Sequence, residues 1–261
     1  MTTITSSGRP ATQRPLVLVS GASGALGQAI AERIARDGTD LVLAYRNNRD
    51  VVQSLADRLP PGTVADPVQM DVADAASVDA AARTVQGLGR RLDAVVFAAG
   101  ARIAQPRVAD IGDAAWRAVV ETELFGFANV ARSFIPLFRS QRGGAFVCVT
   151  TFANFRFTVG DALSSVPKAG VESLVRSIAL EEGRHGIRAN CVAPGIINAG
   201  LGAEFQRSYY DAQTWERVKK GVPLRRFGEA AEVADAVAFL ASGQSAYITG
   251  NTLIVDGGMH L

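Results

Sequence analysis

Runs of apolar residues alternate with amphipathic stretches along most of this 261-residue chain. Residues 16–19 are all apolar, a pattern typical of a strand buried on both faces of a parallel sheet. A glycine-rich turn follows at 20–27, and the residues after it have the periodicity of a helix with one apolar side. Further strands are predicted at 40–46, 64–70, 92–100, 145–150, 187–192 and 251–255, and further helices at 51–59, 74–88, 113–137, 161–184 and 229–240.

The strands and helices alternate along the chain, with neither a linker-like stretch nor an internal repeat. This order predicts an α/β fold with a single domain, a doubly wound (Rossmann-type) seven-stranded parallel sheet with helices on both faces. Residues 1–14 consist mainly of Thr, Ser, Arg and Pro and are predicted to be a disordered tail before a domain at 15–261. Residues 199–220 have a mixed pattern with several aromatic residues, which suits a lid over a substrate.

The turn after the first strand carries glycines at Gly21, Gly24 and Gly27. Between a buried strand and a helix, such glycines allow a tight bend and let a pyrophosphate approach the backbone. The helix N-terminus adds free N–H groups and a partial positive charge. The turn, which also contains Ser23 and Leu26, therefore predicts a dinucleotide site. A turn that only packs the helix against the strand is the alternative.

The end of the second strand indicates which dinucleotide is bound. An acidic residue there would accept a hydrogen bond from a free ribose 2′-hydroxyl and repel a 2′-phosphate. This chain has Tyr45 and Arg46 at that point, followed by Asn47 and Asn48. A cation and neutral donors favour the phosphate, so the predicted cofactor is NADP(H). A surface arginine without a ligand is the alternative.

Composition narrows the choice of partners. The chain has 27 Lys and Arg residues and 25 Asp and Glu residues, which gives a formal net charge of +2. This small charge does not indicate binding to nucleic acid or to an anionic membrane surface. No apolar run approaches the length of a membrane span. Cys148 and Cys191 lie in strand-like runs and are predicted to be buried thiols, which is compatible with a cytoplasmic location.

Several motifs occur in one order along the chain: the glycine turn, Asp71-Val72, Ala99-Gly100, Trp116, Lys168-Ala169, 188–195 and 255–258. In this combination the sequence resembles the short-chain dehydrogenase/reductase family from about residue 15 to its C-terminus. The resemblance implies a nicotinamide cofactor and a homotetramer. The predicted cofactor-binding residues are Gly21, Ser23, Gly24, Leu26, Gly27, Tyr45, Arg46, Asp71, Val72, Ala99, Gly100, Lys168, Pro194, Gly195 and Ile197.

The catalytic positions depart from the family pattern. The family uses Asn, Ser, Tyr and Lys, with the tyrosine four residues before the lysine and the serine thirteen before the tyrosine. Counting back from Lys168 places Ser164 at the tyrosine position and Thr151 at the serine position, and counting on from Trp116 places Glu123 at the asparagine position. Lys168 alone is retained, and the resemblance implies that it holds the nicotinamide ribose.

The missing tyrosine changes the chemistry that the resemblance implies. Serine is a far poorer acid than a phenol, and loss of a positioned acid typically costs about 10²–10⁴ in rate. The candidate replacements are Glu123, a lid tyrosine (Tyr209 or Tyr210), or water held by Thr151, Ser164 and Lys168. The alternatives are structural: Glu123 as an acid paired with Lys168 or with solvent, and the hydroxyls as polar filling.

Two functions follow from these patterns. The first is an NADPH-dependent reductase that transfers hydride to an activated or conjugated carbonyl, whose reduced anion needs less help from an acid. Its small-molecule substrate would be apolar or aromatic, because aromatic residues are available for a pocket or, alternatively, for the core: Phe97, Phe152, Phe155, Tyr209, Tyr210 and Trp215. The second is a catalytically silent subunit or ligand-binding protein that pairs with an active relative. No metal site is predicted.

Overall fold

A computed structural model describes residues 13–208 and 211–261 of the chain. Seven strands form one parallel sheet in the order β3-β2-β1-β4-β5-β6-β7. The strands are β1 Leu16–Ser20, β2 Asp40–Tyr45, β3 Ala65–Gln69, β4 Ala94–Phe97, β5 Gly144–Val149, β6 Ile187–Pro194 and β7 Thr252–Val255. The predicted doubly wound, seven-stranded α/β fold is confirmed.

Helices cover both faces of this sheet. They are α1 Ala25–Arg36, α2 Arg49–Asp57, α3 Ala75–Gly87, α4 Asp113–Val119, α5 Gly126–Gln141, α6 Ala162–Glu182, α7 Gly200–Ser208, α8 Ala212–Gly221 and α9 Ala230–Ala241. Successive residues of β1 point to opposite faces, so Leu16 and Leu18 pack with α3, α5 and α6, whereas Val17 and Val19 pack with α1, α2 and α9. The two layers of core explain why the strands read as continuous apolar runs.

The predicted helix at 113–137 is interrupted. A π-helical segment, Val120–Phe125, separates α4 from α5. Gly126 lies directly after it, where a Cβ atom would come within 2.9 Å of Val72 Cγ2. The π-helical segment adds a residue to one turn, a geometry often found at functional sites, and it carries Thr122 and Glu123.

Two other predicted segments also differ in detail. The fourth strand ends at Phe97 rather than at Gly100, because the amides of Ala98 and Ala99 leave the sheet and donate to Ser20 Oγ at 3.2 and 3.4 Å. The segment predicted as a lid at 199–220 contains the two helices α7 and α8.

The predicted tail and the lid tyrosines fall largely outside the described chain. Residues 1–12 of the tail, and Tyr209 and Tyr210, lie outside the described residues. Arg14, at the end of the predicted tail, donates to Gly38 O at 2.8 Å. Among the described helices, none has the length and apolar character needed to cross a membrane.

Candidate functional site

The glycine turn joins β1 to α1 in a conformation that side chains would not allow. Gly21 has φ +68°, and a Cβ atom there would lie 2.6 Å from Ala98 O. A Cβ atom on Gly27 would lie 2.2 Å from Gly21 O, so strand, turn and helix are in close contact. Gly24 is the N-cap of α1, and no side chain caps that helix. Its first-turn N–H groups are therefore available to a phosphate, which fits the predicted cofactor.

A cavity of about 260 Å³ opens at this turn, at the carboxyl ends of β1 to β4. It is lined by Gly21, Ser23, Gly24, Arg46, Asn47, Asn48, Met70, Asp71, Val72, Ala98, Ala99, Gly100 and Thr122. Eight of the predicted cofactor-binding residues thus surround one space: Gly21, Ser23, Gly24, Arg46, Asp71, Val72, Ala99 and Gly100. Within the described ranges, no cluster of His, Cys, Asp and Glu could hold a metal ion.

Other predicted cofactor residues do not line this cavity. Leu26 and Gly27 lie in the first turn of α1, where Gly27 is buried against the glycine turn. Tyr45, a predicted cofactor residue, does not line the cavity, because it is only 8% exposed and packs in the core beside α1 and α2.

The remaining predicted cofactor residues lie at the end of β6 or on α6. Pro194 ends β6, and Gly195 donates its N–H to Val255 O at 2.9 Å. Ile197 is buried and pairs with Gly228, so it supports the segment before α9 rather than facing the cavity. Lys168 lies on α6, outside the cavity lining.

Lys168 and Glu123 form a buried ion pair. Lys168 Nζ lies 2.8 Å from Glu123 Oε1, and the two side chains are 15% and 4% exposed. The same carboxylate oxygen accepts the N–H of Ala101 at 3.2 Å. Glu123 is thus held as an acceptor for two donors, which is the structural alternative for this residue rather than a proton donor.

Thr151 and Ser164 are both buried close to the start of α6. Thr151 Oγ1 accepts the N–H of Ala153 at 3.2 Å and thereby caps the short 3₁₀ turn Phe152–Asn154. Ser164 lies in the first turn of α6, with its side chain 9% exposed. The Thr151 hydroxyl is thus held by a local hydrogen bond, which fits the structural alternative for this residue.

The aromatic residues divide between core and surface. Phe97 is fully buried and packs on Phe127 with ring centroids 5.4 Å apart, and Phe152 is also buried. Trp215 packs edge-on against Phe227 at 5.8 Å. Phe155 is 45% exposed and Phe157 is 83% exposed, in the loop before α6. The described residues therefore offer an apolar surface in that loop rather than a pocket around Phe97.

Sequence reasoning missed Asp161, Met70 and Thr122. Met70 and Thr122 line the cavity, and only the π-helical geometry places Thr122 there.

Asp161 precedes α6 beside Ser164 and Lys168, and burial raises the pKa of its carboxyl to about 6. The charge of Lys168 and the polar side chains of Gln105 and Ser164 near the carboxyl oppose this rise in pKa. The spacing of Asp161, Ser164 and Lys168 was the available sequence signal.

Comparisons with known proteins agree with this geometry. The model of a family described as enoyl-(acyl carrier protein) reductase matches residues 21–260. An uncharacterized short-chain type dehydrogenase/reductase, y4mP, from Sinorhizobium fredii is 34% identical over 249 residues, covering 93% of this chain and 96% of the relative. The 3-oxoacyl-(acyl-carrier-protein) reductase FabG of Staphylococcus aureus is 31% identical over 245 residues, covering 94% and 97%. A short-chain type dehydrogenase/reductase structure from Mycobacterium ulcerans superposes with a TM-score of 0.88 at 25% identity, covering 95% of this chain and 90% of that one.

Proposed function

This chain belongs to the short-chain dehydrogenase/reductase family, a family of oxidoreductases, and from that premise we propose that it is an NADPH-dependent reductase of activated or conjugated carbonyls. The observation that carries the proposal is the cavity of about 260 Å³ between the glycine turn and Arg46. The open helix N-terminus at this cavity suits the pyrophosphate of NADPH, and the Arg46 guanidinium in its wall suits the 2′-phosphate. The cavity therefore offers a partner for each of the two anionic groups of NADPH.

Arg46 supports the choice of NADPH over NADH. Its side chain lines the cavity and makes no hydrogen bond to another described residue. Asn47 and Asn48 stand beside it, and the acid in the cavity, Asp71, uses Oδ1 to accept the N–H of Ala73 at 3.1 Å. A guanidinium with free donors is well suited to a 2′-phosphate.

The missing tyrosine supports the choice of substrate. When bound, NADPH supplies a hydride, and the chain must then stabilise and protonate the reduced substrate. Ser164 cannot do this as a phenol does, and the charge of Lys168 is matched by Glu123 at 2.8 Å. A substrate whose reduced anion is delocalised or inductively stabilised needs the least from such a site.

The names of the matched family and of the FabG relative describe substrates of this kind. An enoyl group has its carbonyl conjugated to a C=C bond, and a 3-oxoacyl group has two carbonyls in a 1,3 relation. The loop before α6 adds exposed Phe157 and Val159, which suit an apolar acyl or aromatic part of the substrate.

A second candidate function is a catalytically silent subunit that pairs with an active relative. The observation in its favour is the Lys168–Glu123 ion pair, which occupies the one catalytic residue that the family pattern retains. This candidate also expects NADPH binding, so binding alone does not separate the two functions.

Cofactor choice is tested by calorimetric titration of NADPH and NADH. Arg46→Ala should remove about 1–3 kcal/mol of the preference for NADPH, the scale of a hydrogen bond to a charged group. Arg49→Ala is the matched control, because Arg49 is exposed at the start of α2 and does not line the cavity. Equal affinities of the wild type for the two cofactors would contradict the proposal.

Catalysis is tested by NADPH oxidation with a panel of carbonyls. We expect turnover with 1,3-dicarbonyl and α,β-unsaturated compounds, little with simple ketones, and none with Lys168→Ala, because that change removes the group expected to position the cofactor ribose. NADPH binding without oxidation by any member of the panel would favour the silent subunit instead.

A further inference from the structure

Three polar side chains lie along one face of α6 and the residue that precedes it. Asp161, Ser164 and Lys168 are spaced by three and four residues, which stacks side chains on one face of a helix. The backbone supports this placement, because Asp161 O accepts the N–H groups of Ser164 at 3.0 Å and Ser165 at 2.8 Å. Beyond Lys168 the row continues to Glu123 through the ion pair at 2.8 Å.

Asp161 does not do what an aspartate at an N-cap usually does. Asp74 caps α3 by accepting the N–H of Ala76 at 2.9 Å, and Asp211 caps α8 by accepting that of Thr214 at 2.7 Å. The Asp161 carboxyl makes no such bond to α6. Its Oδ1 instead accepts from Gln105 Nε2 at 3.4 Å, and its Oδ2 is buried without a hydrogen-bond partner among the described residues.

A buried carboxylate oxygen without a donor is unfavourable, whereas a carboxylic acid can turn that oxygen into a donor. The direction of the Asp161 pKa, raised to about 6, agrees with this. Lys168 is the charged group that acts on the carboxyl, and its ammonium is shared with Glu123. Arg102, in the loop that carries Gln105, is 82% exposed and pairs with Glu204.

We propose that Asp161 is the proton source of the reductase and acts through the hydroxyl of Ser164, which makes Asp161 a positioning residue and Ser164 the group that contacts the substrate. The inference rests on the proposed function. Asp161 directly precedes α6 and Ser164 lies in its first turn, where Ser164 stands at the position of the family's acid. The nearby carboxyl gives the weakly acidic hydroxyl a proton to replace the one that it donates.

The step balances in atoms and electrons. The electrophilic carbon gains the hydride that NADPH supplies when bound, which leaves NADP⁺, and the carbonyl π pair moves onto oxygen. The Ser164 O–H bond breaks as a bond forms between its proton and that oxygen. The Asp161 O–H bond breaks in turn and restores the serine hydroxyl. The resulting Asp161 carboxylate is reprotonated from solvent.

The pH dependence of the wild type tests this relay. Because the carboxyl must be protonated, kcat/KM for an activated carbonyl should be level below about pH 6 and fall about tenfold per pH unit above it. Asp161→Asn should lower kcat at pH 6 by about 10²–10⁴ and remove this break, and Asp161→Glu should restore part of both. Asp74→Asn, which alters an ordinary cap, should keep the wild-type profile.

A direct titration provides a readout that does not depend on turnover. In ¹³C-aspartate-labelled protein, the carboxyl resonance that is lost in Asp161→Asn should titrate near pH 6 in the wild type. Ser164→Ala should keep that resonance and shift its pKa upward, because Ser164 lowers it, while losing activity as Asp161→Asn does. NADPH titration and thermal unfolding of each variant show whether it still folds and binds the cofactor.

The outcomes separate the relay from the proposed function. The relay alone would be overturned if the wild type turns over and Asp161→Asn keeps the same rate and the same break in its pH profile. A titration of Asp161 near pH 4 would also overturn the relay alone. Wild-type protein that oxidises no NADPH with any carbonyl would overturn the proposed function and the relay together.

Discussion

Asp161→Asn is expected to increase the free energy of unfolding at pH 8 while it removes activity. The wild-type carboxyl is largely ionised at this pH, although burial holds its pKa at about 6 instead of the usual 3.8. Keeping that charge in its buried position therefore weakens the folded state. Asparagine has nearly the same shape, stays neutral, and can still accept a hydrogen bond from Gln105.

The magnitude follows from the pKa difference. A folded-state pKa raised from 3.8 to about 6 means that the folded protein binds the proton more tightly than the unfolded chain. Wild-type stability from this group is fully present below about pH 4 and is lost as the pH rises to about 6. Two pKa units correspond to about 3 kcal/mol, so Asp161→Asn should gain about 3 kcal/mol at pH 8 and less than about 1 kcal/mol at pH 4.

Urea unfolding of wild type and variant at pH 4, 6 and 8 measures this difference, and the other titrating groups cancel because both proteins share them. Asp74→Asn is the control: asparagine caps a helix about as well as aspartate, so the free energy of unfolding should change by less than about 1 kcal/mol, with little difference between pH 6 and pH 8. A gain that is equal at pH 4 and pH 8, or a loss of stability at pH 8, would refute the reasoning.

Three further predictions concern the turn, the ion pair and the assembly. Gly27→Ala should abolish NADPH binding and destabilise the fold, because its Cβ would lie 2.2 Å from Gly21 O. Gly24→Ala should retain folding, because the nearest contact of its Cβ would be at 3.3 Å. Calorimetric titration of NADPH and thermal unfolding distinguish the two variants. Glu123→Ala should lower the free energy of unfolding, measured in urea, by about 3–5 kcal/mol, because it leaves Lys168 buried and unpaired. Arg117→Ala, which breaks an exposed pair with Asp113, should lower it by less than about 1 kcal/mol. Similar losses in the two variants would contradict this prediction. Light scattering should give four times the mass of one chain, because we expect the segments 113–137 and 161–184 to pack against their symmetry mates. Phe125 and Val166 are exposed in these segments. A monomer at micromolar concentration would refute this prediction.

The fold was predictable because short apolar strands alternate with amphipathic helices along the sequence. Strands buried on both faces must be almost wholly apolar, and β1 and β2 are short enough to be distinguished from helices by length. The position of the cavity was predictable for the same reason, since parallel strands bring their carboxyl ends to one edge. Gly21, Arg46 and Asp71 therefore meet although they are far apart in the chain.

The catalytic region was less predictable because it depends on side-chain direction and local helix geometry. Periodicity continues through 113–137 and does not reveal the π-helical segment that places Thr122 at the cavity and Glu123 against Lys168. An aspartate before a helix predicts a cap, and only the three-dimensional structure shows that the Asp161 side chain does not cap α6.

The buried ion pair between Lys168 and Glu123 also constrains how this lineage can evolve. A tyrosine regained at position 164 would meet an ammonium whose charge is already balanced, so its pKa would stay closer to that of a free phenol, about 10. Loss of Glu123 on its own would leave a buried lysine without a counter-ion. Each single change is therefore unfavourable, and only the pair of changes leads back to the family's usual acid. Such epistasis means that a tyrosine at position 164 would act like the family's usual acid only if position 123 changed with it.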